Sequence, residues 1–575
     1  MLVITEKPSV AKNIRLAIKP PPPTLALRGH ILELDFPEQY SRWRSVDPRE
    51  LFNAPVKWTI RDQDTYKELV KAVKKAGILV LATDNDPEGE LIAYESILVA
   101  KDSLGSMPKY CRMRFNTVTL SDLRHAWENL EPDLKWNWVW KALFRHKFDL
   151  ITGAAYTRLL TLSKKLGNGD SIISWGSCQM PTLWFVYQRE MEIRNFKPEK
   201  YYVLSVVLNV HGVKVKVSSE PIKDSNKSRE AYALAKTAKY ALVMDFQLID
   251  EIEQKPLPTD TDSMLQDLSK ITGLSAAKIM SLAESLYGDG YISYPRTETN
   301  MWLTTNHRSI LSMLSSTPLG KYINMMNYSP RDGKKNDGAH PPIYPTAYYP
   351  WSDDKGKVWE YIARRYIANV VGKNAILKKW RLRVDINGLK LGAAGRYFVD
   401  EGFYQIFPYF KPKDTLWIPQ LHIGEKLPIV EVKLEEKKTK PPPRLTESEL
   451  LSLLEKHFIG TDATRADYPQ IIVERGYAEK KRKSFYLSDL GEALVNLLKD
   501  VDERLVTPDT RRYVEQLMGE VELGRISEED ALKKALKIYE NLFDKVSLKL
   551  KTMRDSVNTG IKNTPNSMKK SKFTF

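Results

Sequence analysis

The sequence predicts a multidomain protein of mixed α/β and α+β type, and three observations predict it. With 575 residues, 42% hydrophobic and 28% charged, the chain is too long for one ordinary core and apolar enough to build several. Its N-terminal stretch alternates strand-sized apolar runs with amphipathic helical ones, the pattern of a parallel sheet covered by helices. Further along, two strand-rich regions flank a helical one, which implies a domain inserted into a β structure.

In chain order, Leu2 to Thr5 reads as a short apolar strand, and Pro8-Ser9 opens an amphipathic helix through about Ile18. Pro20 to Pro23 break the chain. After a loop-rich insertion, Thr65 to Ala76 reads as a helix with Gly77 as its stop, and Ile78 to Thr83 as a fully buried strand. Trp136 to Arg194 carries the aromatic and leucine spacing of buried helical faces. Tyr201 to about Glu251 reads as strands, Asp262 to Tyr287 as helices, and Ala375 to Val432 as strands again, with Trp380-Arg381-Leu382-Arg383-Val384-Asp385-Ile386 alternating cleanly. Pairing of the two β-rich regions would carry the segment between them on a β arm. Lys433 to Pro443 reads as a linker, helices resume at Glu447, and Lys551 to Phe575 reads as a flexible basic tail.

The net charge of +16 points to a polyanionic partner, nucleic acid first. Apolar runs such as Ile78 to Ala82 are strand-sized rather than membrane-spanning, and the N-terminus lacks the charged flank of a signal peptide, so a soluble intracellular protein is expected. Cys111 and Cys178 alone can build neither a disulfide framework nor a four-cysteine zinc site. No Walker-type phosphate loop is found, which argues against an ATP motor.

Against this basic background stands an acidic cluster. The strand Ile78 to Thr83 delivers the chain to Asp84-Asn85-Asp86-Pro87-Glu88-Gly89-Glu90. Carboxylates at alternate positions past a strand end can converge on a hard divalent cation, and Gly89 permits a close turn. Glu6 ends the first strand in the same way, so parallel neighbours would bring it to the same carboxyl edge, where α/β sheets bind ligands. The residues overlap the EF-hand template, but that template needs an entering helix, whereas a strand enters here and Pro87 interrupts the loop. The cluster alone does not separate a Toprim nuclease or primase from other metal-dependent DNA enzymes, nor from a merely solvated acidic loop.

Gly290-Tyr291-Ile292-Ser293-Tyr294-Pro295-Arg296-Thr297-Glu298-Thr299 resembles the active-site tyrosine motif of type IA DNA topoisomerases, and Glu6-Lys7 with the acidic cluster resembles the Toprim motif of the same enzymes. Gln179-Met180-Pro181-Thr182-Leu183 with Arg189-Glu190, Ala339-His340-Pro341-Pro342-Ile343-Tyr344-Pro345-Thr346, Pro443 to Glu447 and Gly460 to Ala466 resemble further family blocks in the family's order. The resemblance runs from Met1 to about residue 545, and the last block, with the lack of zinc ribbons, is similar to the topoisomerase III branch. Three positions depart from the bacterial pattern: Pro87 stands where arginine is usual, Ser177-Cys178 replace Arg-Val, and Asp462 replaces proline.

The resemblance implies a toroidal core. Its parts would be a Toprim α/β domain at 1–146, a helical base at 147–203 and 434–550, a β arch at 204–254 and 380–433, the tyrosine domain at 255–379, and the tail at 551–575. It implies Tyr294 as nucleophile, forming a 5′-phosphotyrosine ester, with Arg296 and Lys7 on the scissile phosphate and Glu6 as proton relay to the leaving oxygen. A phenol with a pKa near 10 is a weak nucleophile, so Tyr294 is expected in positive surroundings that favour phenolate, Arg296 being the nearest cation in sequence. Glu6, Asp84, Asp86 and Glu88 would hold Mg²⁺, and His340, Arg158, Gln179, Thr182 and Arg465 would contact DNA. The implied activity is ATP-independent relaxation of negatively supercoiled DNA, unlinking of catenated DNA, or both. The implied setting is a cytoplasmic monomer on chromosomal DNA, binding single strands, with no membrane and with a helicase or a single-strand-binding protein as candidate partners. A DNA-binding architectural protein with a degenerate site is the rival outside the enzymes.

Overall fold

The apolar runs dictate the first domain. In the structure, a computed structural model describing residues 1–167, 171–303, 305–461 and 464–553, Leu2–Thr5 and Leu79–Ala82 are buried throughout and lie side by side as parallel strands, with Thr5 opposite Ala82. Thr24–Ala26 and Tyr110–Arg112 complete a four-stranded parallel sheet on either side of them. Alternation along the strands sends Val3 and Val80 into one core and Leu2, Ile4, Leu79 and Leu81 into another on the opposite face. Helices Pro8–Ala17 and Leu120–Glu128 cover the first face, and Gln63–Val73 and Pro87–Leu104 the second. The Gln63–Val73 helix begins on an Asp62 side-chain cap and stops short of Gly77, so the predicted glycine stop is not what ends it.

Trp136–Ser163 and Gln179–Asn195 share a core with five helices from the C-terminal part of the chain. Phe144, Phe148, Tyr156 and Leu183 pack there with Leu450, Leu498 and Phe543, so residues hundreds of positions apart form one helical body. The last helix runs from Glu528 to Thr552. The beginning of the stretch read as a flexible tail is therefore helical, and the rest of it lies outside the described residues.

The strands of the two β-rich regions form a single closed barrel, in the order Ala375–Ile386, Leu389–Asp400, Val213–Ser218, Lys200–Val210, Lys426–Lys438, Tyr240–Glu253. Inward Val206, Leu208, Val217, Val243, Trp380, Leu382 and Val384 fill it. Two features differ from the sequence reading. A helix, Ser225–Thr237, interrupts the first β region and packs Ala231 and Ala235 on the barrel core. The stretch read as a linker from Lys433 is strand as far as Lys438, which pairs with Lys200. Its charged side chains stay solvated and find cross-strand partners, Lys216 on Glu435 and Lys200 on Glu436, so the lysines and glutamates do not stop the strand.

The chain leaves the barrel after Glu253 and returns at Ala375, and these two residues are register partners. Between them, helices Thr261–Thr272, Ala276–Gly288 and Asp354–Val370 build a domain whose core merges with Val10, Ile14 and Val80 of the parallel-sheet domain. A buried ion pair ties the same domain to the helical body, Arg465 donating to Asp262, with Lys335 on Glu455 at 2.6 Å alongside. Among the described residues, no helix is long and apolar enough to cross a membrane.

Arg465 and Asp262 are 4% and 6% exposed, so removing one strands the other's charge out of water. Arg465→Ala is expected to cost about 3–5 kcal/mol, whereas the double change Arg465→Met with Asp262→Leu recovers most of it. Denaturant unfolding of the singles and the double checks this, and equal losses in all three variants would contradict it.

Candidate active site

The acidic loop is built by one buried guanidinium and one glycine. Arg112, fully buried, donates to the carbonyl oxygens of Leu81 (2.9 Å), Met113 (2.8 Å) and Asp84 (2.7 Å) and pairs with Glu90 at 2.8 Å. Arg114 joins Glu90 from the other side and donates to Asn85 at 3.2 Å. Gly89 lies so close to the loop that a Cβ there would sit 2.0 Å from the Asp84 carbonyl oxygen. Asp86 caps the helix Pro87–Leu104, its Oδ1 accepting from the Gly89 amide at 2.7 Å, and Pro87 occupies the first helical turn, where its missing N–H costs nothing.

Four acidic side chains were read as one metal-binding set, and the structure divides them. Asp84 is 2% exposed; its Oδ2 accepts from Lys7 Nζ at 2.5 Å, and its buried Oδ1 has no hydrogen-bond partner. Burial, with Asp84 and then Asp86 nearby, pushes the Glu6 carboxyl up to about 8. A buried carboxylate oxygen lacking a donor, beside two more carboxyls, fits a hard cation. Glu88 points elsewhere, into a cage of Arg145, His146 Nε2 (2.9 Å) and His30 Nε2 (3.1 Å). Burial would raise this carboxyl, but Arg145 and His146 outweigh burial and hold it well below the usual carboxylate range. The expectation that Glu88 completes the same cation site as Asp84 and Asp86 is corrected to that extent.

Tyr294 meets the loop directly. Its hydroxyl donates to Asp86 Oδ2, and its backbone N–H donates to the Asn116 carbonyl at 2.9 Å. The ring, 3% exposed, packs on Tyr287 and His340 at centroid distances of 5.1 and 4.8 Å. The expectation of positive surroundings favouring phenolate is overturned for this closed state. Burial first, then Asp86 and Asp84, push the phenol well above its usual range, and Arg296 only partly opposes them. Arg296 itself pairs with Glu284, at 2.8 Å from Nε and 2.5 Å from Nη2. Lys7 Nζ lies 5.9 Å from the Tyr294 ring centre. His340 is oriented by Asp337, 3.3 Å from Nδ1, which leaves the buried Nε2 without a partner.

The predicted DNA contacts fare unevenly. Thr182 is fully buried and donates to the Cys178 carbonyl at 2.8 Å, so it faces protein. Gln179 is 7% exposed and folds back on Ser174, at 3.3 Å from its carbonyl. Arg465 spends its guanidinium on Asp262, Ile459 and Gly460. Arg158 donates to the Tyr40 carbonyl at 2.6 Å beside the Trp43 ring. Spacing in sequence does not reveal which side chains face inward, on the helices of Arg158, Gln179 and Thr182 or in the turn of Arg465, and here the tertiary fold turns these four toward protein.

The sequence reading missed the cations that surround the site. A cavity of about 590 Å³ opens on Asp86 and Glu88 and is lined by Lys135, Trp138, Lys141, Arg145 and His340. Lys135 to Arg145 lie on or just before a helix predicted only for its apolar spacing, and their recurrence along one side was the available signal. Asn85 and Asn116 also went unremarked; both reach the Ala339 carbonyl, at 3.5 and 3.2 Å, across the tyrosine–loop junction.

Gly89→Ala is expected to displace Asp84, destabilising the protein by about 1–3 kcal/mol and removing most of any thermal stabilisation by Mg²⁺. Melting curves with and without Mg²⁺ report both effects, and an unchanged Mg²⁺ response would count against this account of the loop.

Comparison with known proteins agrees with this geometry. The family model of DNA topoisomerase matches residues 133–533, and that of the Toprim domain matches residues 1–118. DNA topoisomerase 1 of Archaeoglobus fulgidus is 33% identical over 557 residues, covering 92% of this chain and 82% of that protein. DNA topoisomerase 3 of Dictyostelium discoideum is 30% identical, covering 90% of this chain and 68% of its own length. Full-length topoisomerase I of Thermotoga maritima superposes with a TM-score of 0.77 over 95% of this chain and 90% of that one, at 24% identity, a likeness of fold that is consistent with a toroidal core. With the acidic loop at the edge of its N-terminal parallel sheet and Tyr294 bonded to that loop, the chain belongs to the type IA DNA topoisomerase family and carries a Toprim domain.

Proposed function

We propose that the protein is an ATP-independent, Mg²⁺-dependent enzyme of the topoisomerase III branch that cuts one DNA strand, passes another through the break and reseals it. The observation that carries this reading is the hydrogen bond from Tyr294 to Asp86, which joins a nucleophile and a cation-binding carboxylate 208 positions apart in sequence. The Lys135, Lys141 and Arg145 cations and the Trp138 ring along the adjoining cavity suit the phosphates and bases of a single strand.

Tyr294 Oη attacks the scissile phosphorus as its proton passes to Asp86, and the bond from phosphorus to the 3′ oxygen breaks. Glu6, whose carboxyl is pushed up by burial and by Asp84, is placed to give a proton to that departing oxygen. Lys7 and the unpartnered Nε2 of His340 bind the phosphate oxygens. Arg296 joins them by turning from Glu284. Asp84 and Asp86, with Glu6 beside them, would hold Mg²⁺, whose charge offsets the carboxylates and steadies the 3′ end for rejoining. One ester replaces another, so religation reverses the step without ATP.

The substrate is single-stranded or negatively supercoiled DNA, with relaxation, decatenation or both as outcomes. The enzyme works as a monomer on chromosomal DNA in the cytoplasm, with a helicase or single-strand-binding protein as candidate partner.

Negatively supercoiled plasmid is expected to relax with Mg²⁺ and without ATP, and chelation to stop it. Tyr294→Phe should yield no covalent adduct, whereas His340→Ala should slow cleavage by about 10²–10³-fold. A Tyr294→Phe protein that still nicks DNA would instead identify a Toprim nuclease.

A further inference from the structure

Glu88 is expected to face the hard-cation site, yet it faces two imidazoles. His30 Nε2 and His146 Nε2 both approach Glu88 Oε2, at 3.1 and 2.9 Å, and the three ligand atoms lie within 4.8 Å of one another. A tetrahedral ion with bonds of 2.0–2.1 Å sets its donors about 3.4 Å apart; Glu88 Oε2 already stands near that distance from each imidazole, and the two nitrogens, within 4.8 Å of one another, close on the ion by rotation of the rings. His30 is supported as a metal-bound histidine requires. His30 Nδ1 lies 2.6 Å from Glu95 Oε1, which fixes the ring and aims Nε2 at Glu88. Glu95, 1% exposed, is itself held by the Ile31 and Leu32 amides at 3.0 and 3.1 Å. Arg145 takes the other Glu88 oxygen, leaving Oε2 to face the rings.

We propose that His30, His146 and Glu88 form a second cation site, taking a borderline transition ion such as Zn²⁺ rather than Mg²⁺. Two imidazoles and one carboxylate are the donor set of Zn²⁺, Co²⁺ and Fe²⁺, whereas Mg²⁺ favours oxygen alone. Each imidazole would bind the ion through a deprotonated Nε2. Counting Glu88, Glu95 and Arg145, the cluster keeps one net negative charge, which favours a cation. A cavity of about 440 Å³, lined by His30, Glu88, Arg145 and His146, gives access from solvent and room for a water or a phosphate oxygen as fourth ligand. The proposal goes beyond the strand-cutting reading, because it assigns these histidines a ligand that reading does not use.

The test uses the full chain, stripped with chelator and held in excess Mg²⁺, titrated with Zn²⁺ by calorimetry and with Co²⁺ by visible absorption. One equivalent is expected to bind, with nitrogen-ligated Co²⁺ bands. His146→Gln and His30→Gln should each weaken binding at least about tenfold, while Asp84→Asn should leave it unchanged; circular dichroism verifies that each variant is folded. If only His30→Gln unfolds, His146→Gln decides. No binding above the Mg²⁺ background, or binding lost in Asp84→Asn and kept in His146→Gln, would overturn the site. The Tyr294 adduct is measured separately, so failure here is distinguishable from failure of the strand-cutting reading.

Discussion

A sheet edge crowded with carboxylates repels itself, and the fully buried guanidinium of Arg112 is what allows this one to fold. Burial lowers its proton affinity, and Glu90, equally buried, offsets part of that as its ion-pair partner. From that fixed point the guanidinium holds the carbonyls of Leu81, Met113 and Asp84, locking the end of one strand to the next and fixing where Asp84 and Asp86 emerge. Everything downstream takes its position from this bracket, including the Lys7 contact, the capping of the Pro87–Leu104 helix and the seat of Tyr294.

The tyrosine-bearing domain is joined to the rest of the chain by two kinds of contact with different sensitivities. The tyrosine-bearing domain shares apolar packing with the sheet domain, including Ile14 and Val10, and that contact is indifferent to salt. Its polar attachments, among them Tyr294 to Asp86, Asn85 and Asn116 to Ala339, Arg465 to Asp262 and Lys335 to Glu455, are directional. Such bonds set a unique register for closure more than they strengthen it.

Legibility in the sequence followed the range of the interaction. Leu2–Thr5 and Leu79–Ala82 were readable because burial on both faces leaves an uninterrupted apolar run, and the carboxylates follow directly from one of them. The alternation from Trp380 to Ile386 likewise announced a strand with one face inward. The pairing of Tyr294 with Asp86 is not encoded in any local pattern and came from resemblance to a family. The helix Ser225–Thr237 was hidden between strands by its weak apolar stripe, and the strand up to Lys438 by charges that cross-strand pairs neutralise. Thr182 and Arg465 illustrate a further limit, since a polar residue in a recognised motif can serve packing and interdomain pairing instead of ligand contact. Glu88 turned away from its acidic neighbours because residues some 58 positions to either side supply its partners.

The barrel closes through short pairings, Gly392 with Ser218 at one seam and Lys426 to Pro428 with Tyr240 to Leu242 at the other. Because Glu253 and Ala375 are partners in adjacent strands, the whole nucleophile-bearing segment departs and returns through two points about 4.8 Å apart. Excising the segment and bridging the two ends with a tight turn would leave the ladder between these two strands intact, which makes the barrel a self-contained frame from which the Tyr294-bearing segment projects.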